Sequence, residues 1–186
     1  MVLFLTNNIE ITKPLLLWLK RREKTLVYKK RLSLKLLNKI KPSIIISYNY
    51  KYIIEPRITK RYNIINLHIS YLPYNRGANP NIWSHIDNTP SGVTIHLIDE
   101  HIDTGNIIVQ KKVILDQQLT LRESYKILHT QIQRLFKRNF HIFFNLKRKK
   151  LQSQKNKKGS IHYTKESFLL DNGYSTTIQR LMELNR

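Results

Sequence analysis

Ser43-Ile-Ile-Ile-Ser-Tyr48 narrows what this chain can become more than any other stretch. Three consecutive isoleucines leave no polar position for a solvent face, so the segment needs cover on both sides, as a central parallel strand does. The flanking sequence has a matching rhythm. Residues 2–6 form a short apolar run suited to a buried strand. Thr12 and Pro14 then read as the N-cap and first turn of a helix with residues 15–19 as its apolar body and Lys20 to Arg22 near its end. A weaker strand is expected at 25–28. A second helix from Ser33 places Leu34, Leu37 and Ile40 on one stripe and stops before Pro42. Strand, helix, strand, helix, strand is the α/β pattern: a mostly parallel, Rossmann-like sheet with helices on both faces.

The rhythm then shortens. Residues 64–67 read as a strand, and 68–78 as a loop broken by Pro73 and Gly77. A short helix begins at Asn79-Pro80 and runs through Trp83 and His85. Strands at 92–98 and 107–115 flank a tight polar turn. Thr120 and Glu123 make a capping box for a long helix whose buried stripe is Tyr125, Leu128, Ile132, Leu135 and Phe136. Beyond residue 147, QSQKNKKGS reads as a basic, polar linker, and the last plausible helix lies at 176–184. The expected organisation is therefore a catalytic domain at 1–146 and, at 147–186, a basic linker with a short C-terminal appendage.

Composition removes several classes of chemistry. Without cysteine the chain has no disulfide, no thiolate nucleophile and no Cys-based metal site. Its 33 Lys and Arg against 12 Asp and Glu give a net charge of +21, a field that attracts polyanions. The charge is unevenly spread: residues 137–165 carry ten basic side chains and no acid, whereas 67–115 is nearly neutral. The basic residues thus lie outside the segment that carries the chemistry, and nucleic acid is not expected as the main ligand. The first apolar residues precede the first lysine, the wrong order for a secretory signal. No apolar run approaches the ~20 residues of a membrane span, so a cytoplasmic protein is expected.

Three polar stretches fall at the ends of expected strands, where open α/β sheets place their ligands. In Asn66-Leu67-His68 the amide and imidazole share one side of a strand. The loop through Arg76 and Gly77 offers a guanidinium for a phosphate or carboxylate. The third stretch runs from His96 to Gly105 and includes Asp103. Asn, His and a carboxylate with no Ser or Cys nucleophile nearby suit direct acyl transfer to an external amine. The imidazole handles the proton, Asp103 orients and charges it, and the Asn amide donates to the oxyanion. His96 and His101 do not have the HExxH spacing, and no metal is expected.

NLHISYLPYNRG followed by GVTIHLIDEHIDTGNII resembles the core of the folate-dependent formyltransferases, a superfamily that includes glycinamide ribonucleotide, methionyl-tRNA and nucleotide-amino-sugar N-formyltransferases. The resemblance covers residues 2 to about 140. It implies 10-formyltetrahydrofolate as formyl donor and catalytic roles for Asn66, His68 and Asp103. It places the pterin against Asn49, Tyr50, Lys51, Tyr52 and Ile53, and against Ile98, Asp99, Glu100, His101 and Ile102. His96 matches a supporting histidine of some members.

The resemblance also bears on the acceptor. Methionyl-tRNA enzymes continue into a C-terminal barrel domain, and only about 45 residues follow the core here. Purine-pathway enzymes usually carry a glycine-rich phosphate loop after the first strand, where this chain has Thr6-Asn7-Asn8. SYLPYNRGANPNIWS, the IDEHIDTGNII turn and the late KKGSIHY look most like enzymes that formylate nucleotide-linked amino deoxysugars, typically dTDP-linked, for surface polysaccharides such as O-antigen. By that resemblance Arg76, Gly77, Asn79, His96, His162 and Tyr163 contact the acceptor. Methionyl-tRNA or glycinamide ribonucleotide formylation, an inactive RNA- or nucleotide-binding relative, and a homodimer are left open.

Overall fold

The computed structural model describes residues 1–146, 151–155 and 157–186. The expected boundary between 146 and 147 and Asn156 of the linker thus abut or lie outside the described residues.

Strands β1 (Val2–Leu5), β2 (Thr25–Tyr28), β3 (Ile44–Ser47), β4 (Ile64–His68), β6 (Gly92–Leu97) and β7 (Ile107–Lys112) form one sheet in the order β2-β1-β3-β4-β6-β7. The first four are parallel, and β4–β6 and β6–β7 pair antiparallel. The triple-isoleucine strand is central, between β1 and β4, as its double-sided apolarity requires. Alternate residues feed two cores. Val2, Phe4, Ile44, Ile46, Ile65 and Leu67 pack with Leu15 and Leu19 of α1 (Ile9–Lys20) and with Leu128, Ile132 and Phe136 of α5 (Leu121–Arg138). On the other face Leu3, Leu5, Ile45 and Ile64 meet Leu37 of α2 (Leu34–Ile40) and Ile58 of α3 (Pro56–Thr59).

The first helix departs from expectation. It starts at Ile9 with Asn8 as N-cap, its side chain accepting from the Ile11 N–H, and Pro14 lies inside the helix. Thr12 is a buried helical residue whose Oγ1 donates to the Asn8 carbonyl at 2.8 Å. Pro14 removes the bond to the Glu10 carbonyl, a local loss that the buried stripe of Leu15, Leu16 and Leu19 offsets. The capping box at Thr120 and Glu123 forms as the spacing predicts.

The C-terminal residues are woven into the fold. β5 (Arg76–Gly77) pairs with β8 (Ile161–His162) in a second, parallel two-stranded sheet. α6 (Ile178–Leu184) buries Ile178 and Leu181 against Ile82 of α4 (Pro80–Ile86) and Leu121 of α5. Each fully buried aliphatic side chain contributes ~1.5–3 kcal/mol, enough to hold seven residues that could not persist alone as a helix.

Candidate active site

β4 delivers two polar side chains to one face of the sheet. Asn66 and His68 alternate with Ile65 and Leu67, and antiparallel β6 sets His96 opposite Asn66. Asp103 comes from the turn after β6, in a left-handed backbone conformation. Its carboxylate is the hub of the cluster. Oδ1 accepts from Asn66 Nδ2 at 3.2 Å and lies 3.4 Å from His96 Nε2. Oδ2 accepts from the Gly77 N–H at 2.9 Å and lies 3.6 Å from His68 Nδ1.

The shortest contact of each ring to a carbonyl oxygen assigns its proton. His96 Nδ1 donates to the Leu97 carbonyl at 2.7 Å, so its Nε2 accepts from Asn66 Nδ2 at 3.3 Å. His68 Nε2 donates to the Asn75 carbonyl at 3.1 Å, leaving a lone pair on Nδ1 beside Asp103. Burial pulls His68 below its ordinary value against the attraction of Asp103, so the ring is neutral at rest. Burial alone would raise Asp103, but the attraction of His68 and His96 when either ring is protonated, with the Gly77 N–H, outweighs it and holds the carboxyl well below the usual range. The result is an ionised acid beside a neutral base: at 3.6 Å the pair is close enough to stabilise an imidazolium without being hydrogen-bonded to one another. Both hydrogens of Asn66 Nδ2 are engaged, so a developing oxyanion has to draw one from His96 or Asp103.

The cluster opens into a cleft of about 1790 Å³ across the C-terminal ends of β1, β3 and β4. That exceeds the ~300–1,000 Å³ of a pocket for one small molecule and leaves room for two. Asn49, Tyr50, Lys51, Tyr52 and Ile53 line it, as do Ile98, Asp99, Glu100, His101 and Ile102. Tyr50 and Ile98 pack on the α2–α3 core, and the Asn49 Nδ2 is buried without a partner among the described residues. Apolar flanks with a spare amide donor fit a flat heteroaromatic ring with a polar edge, as in a pterin. Among the described residues no three His, Cys, Asp or Glu side chains are arranged to hold a metal ion.

Gly77, Asn79, His96, His162 and Tyr163 also line the cleft. Asn79 enters α4 with a left-handed backbone and makes no side-chain cap bond. His162 stacks on Trp83 with centroids 4.1 Å apart, and its two ring nitrogens meet Asp87 and Glu166, each at 2.8 Å. Arg76 is not among the lining residues: its Nη2 donates to Gln154 Oε1 at 3.0 Å.

The linker supplies a residue that its composition conceals. Gln154 is buried, and its Nε2 donates to the carbonyls of Asp103 and Gly105 at 3.1 and 2.7 Å. Asn75, whose carbonyl faces His68, is itself held by Ser160 through its backbone N–H and Oδ1. A side chain at Gly77, at φ 85, would put a Cβ 2.2 Å from the His162 carbonyl. Sequence reasoning missed Gln154, Asn75 and Ser160 because nothing in a polar linker or loop marks which amides fold inward. Tyr48 OH lies 2.6 Å from His129 Nδ1, a buried pair that sequence reasoning did not single out.

Three donors of the turn after β1 are already occupied. Asn7 N–H donates to the Asn49 carbonyl, Asn8 N–H to Thr6 Oγ1 and Ile11 N–H to Asn8 Oδ1. These three groups do not form a phosphate nest.

The formyl transferase family model matches residues 15–139. The formyltransferase PseJ from Anoxybacillus kamchatkensis, solved with UDP-4,6-dideoxy-4-formamido-L-AltNAc and tetrahydrofolate, is 36% identical; the match covers 100% of this chain and 99% of that one, with a TM-score of 0.85. A methionyl-tRNA formyltransferase from Finegoldia magna is 30% identical over 133 residues, 68% of this chain and 43% of that protein. A GDP-perosamine N-formyltransferase from Brucella melitensis is 32% identical over 108 residues, 56% of this chain and 40% of that protein. The chain thus spans less than half the length of these curated relatives.

Proposed function

Because the chain belongs to the formyl transferase family, we propose that it is an N-formyltransferase that moves the formyl group of 10-formyltetrahydrofolate to the amine of a nucleotide-linked amino deoxysugar for surface-glycan synthesis. The observation that carries the reading is the end-to-end likeness to PseJ, which holds both a formamido sugar nucleotide and tetrahydrofolate. A cleft with room for two ligands and a neutral base beside an ionised acid support it. UDP- and dTDP-linked sugars are the first acceptors to try, and the cytoplasm is the compartment that holds such donors and acceptors.

When bound, the folate supplies an activated formyl carbon on a nitrogen able to leave. The chain's own groups do the rest. His68 Nδ1 takes the proton from the acceptor amine as the new C–N bond forms. Asp103 stabilises the resulting imidazolium. The Asn66 amide and the charged His68 oppose the negative charge developing on the formyl oxygen. His68, directly or through water, then returns the proton to the departing nitrogen as its bond to the formyl carbon breaks.

The test is donor deformylation followed spectroscopically with one acceptor at a time: UDP-, dTDP- and GDP-linked amino deoxyhexoses, glycinamide ribonucleotide and methionyl initiator tRNA. Turnover is expected with a sugar nucleotide. Turnover with tRNA alone would replace this reading.

A further inference from the structure

The face that α5 turns to the cleft carries two rows at four-residue spacing. Tyr125, His129 and Gln133 form the inner row; Arg122, Lys126, Thr130 and Arg134 form the outer one, continued by Lys137. None of these four cations is paired with a carboxylate among the described residues. Behind them lies a hydrogen-bond chain: Gln133 Nε2 donates to Tyr48 OH at 3.4 Å, and that hydroxyl donates to His129 Nδ1 at 2.6 Å. His129 therefore keeps its proton on Nε2, a donor that is buried, cleft-lining and without a partner among the described residues. Asn81 of α4, only 4% exposed, also lines the cleft and carries a second such orphan, its Nδ2.

Two buried N–H donors and unpaired cations call for an oxygen-rich anion. The two halves of the row differ. Arg134 and Lys137 share their part of the cleft with α1, which brings Glu10. The Arg122–Lys126 half faces α4 and Tyr174, where no carboxylate lines the cleft among the described residues. The folate-side loops carry Asp99, Glu100 and Asp103 and pack toward the opposite face of the sheet from α5. Three donors of the first turn are already occupied, whereas the cations of α5 are free of carboxylates among the described residues.

We infer that Arg122, Lys126, Asn81 and His129 form the subsite for the diphosphate of the acceptor, a nucleoside diphosphate. The inference rests on the sugar-nucleotide reading above. Arg122 and Lys126 lie one turn apart, ~6 Å along the helix, within reach of both phosphoryl groups. His129 Nε2 and Asn81 Nδ2 donate to oxygens of the same group, and Tyr125 and Tyr174 border it.

The test is binding of free UDP and dTDP to the whole protein by calorimetry, beside KM and kcat with the best acceptor. The Arg122→Gln/Lys126→Met variant alters two exposed side chains, and Lys35→Met on the opposite face is the control. The subsite predicts at least tenfold weaker nucleotide binding and a matching rise in KM. It also predicts kcat within twofold, unchanged tetrahydrofolate affinity, and a KM that no longer climbs steeply with salt. Nucleotide binding in the double variant equal to that of the wild type overturns the subsite, as does a wild type that binds neither nucleotide. Turnover decides the other question. A variant-sensitive nucleotide site without turnover on any sugar nucleotide supports the subsite and removes the proposed reaction. Turnover on a sugar nucleotide with unchanged KM in the variant removes the subsite and keeps the reaction.

Discussion

His68 sits between two oxygen acceptors, the Asn75 carbonyl and the Asp103 carboxylate, so either neutral tautomer leaves one ring nitrogen facing an acceptor without a proton. The imidazolium satisfies both sides, and burial opposes it. That balance suits a base that must gain and lose a proton within one turnover. Protonating the resting ring disables it, and its pKa lies below the ordinary 6.5, so kcat/KM should fall on the acid side with a midpoint under 6.5. An acid limb centred at or above 6.5 in a pH–rate profile would count against this base. Asn66 makes a separate contribution. Losing an oxyanion donor costs ~3 kcal/mol, so Asn66→Ala should lower kcat at least ~100-fold while the urea midpoint barely moves. His68→Ala and Asp103→Ala should be nearly inactive, and full activity in either would remove the mechanism.

At the scale of elements, the site depends on a pairing of only two residues. β5 and β8 meet through Gly77 and His162, and the Gly77 N–H holds Asp103. Gly77→Ala would add a left-handed non-glycine residue, worth ~1–3 kcal/mol of strain, and a contact with the His162 carbonyl that only separation of the strands relieves. Loss of stability in urea and faster proteolysis after residue 150 are expected together, with a lower kcat. An alanine variant with wild-type values would show that the pairing is dispensable. The strands of the sheet and the long helices packed on it were legible because burial leaves periodic marks, as in residues 43–48 and in the capped α5. Asn66 and His68 were legible as a pair because a strand puts alternate residues on one side. Gln154, Ser160 and Asn75 were not, since the bonds that hold them join residues 49 to 85 positions apart and no local pattern records such meetings. The start of α1 was misplaced because Thr12-x-Pro14 has the look of a helix opening, while the cap that forms is Asn8.

For the whole molecule, buried histidines set the response to acid. His85 and His129 are pushed down to about 4 by burial, whereas an unfolded imidazole protonates near 6.5. Between those values the native state holds fewer protons than the unfolded one. Stability is therefore complete above pH 6.5 and drains as the pH falls toward 4, by up to about 3 kcal/mol for each ring. Urea midpoints at pH 7 and pH 5 should differ markedly, and His85→Asn should narrow the gap. An unchanged gap would place the acid sensitivity elsewhere. The bond from Gln154 to the Asp103 carbonyl has a further consequence, for synthesis on the ribosome. The sheet and the Asn66, His68 and Asp103 cluster are translated before the residues that brace them. At ~5–20 residues per second, Ser160 and His162 follow Asp103 by roughly 3–12 s. For that interval the nascent chain carries Asn66, His68 and Asp103 without the brace that fixes their geometry, so the cluster takes its final form only after residues 154–162 have been made.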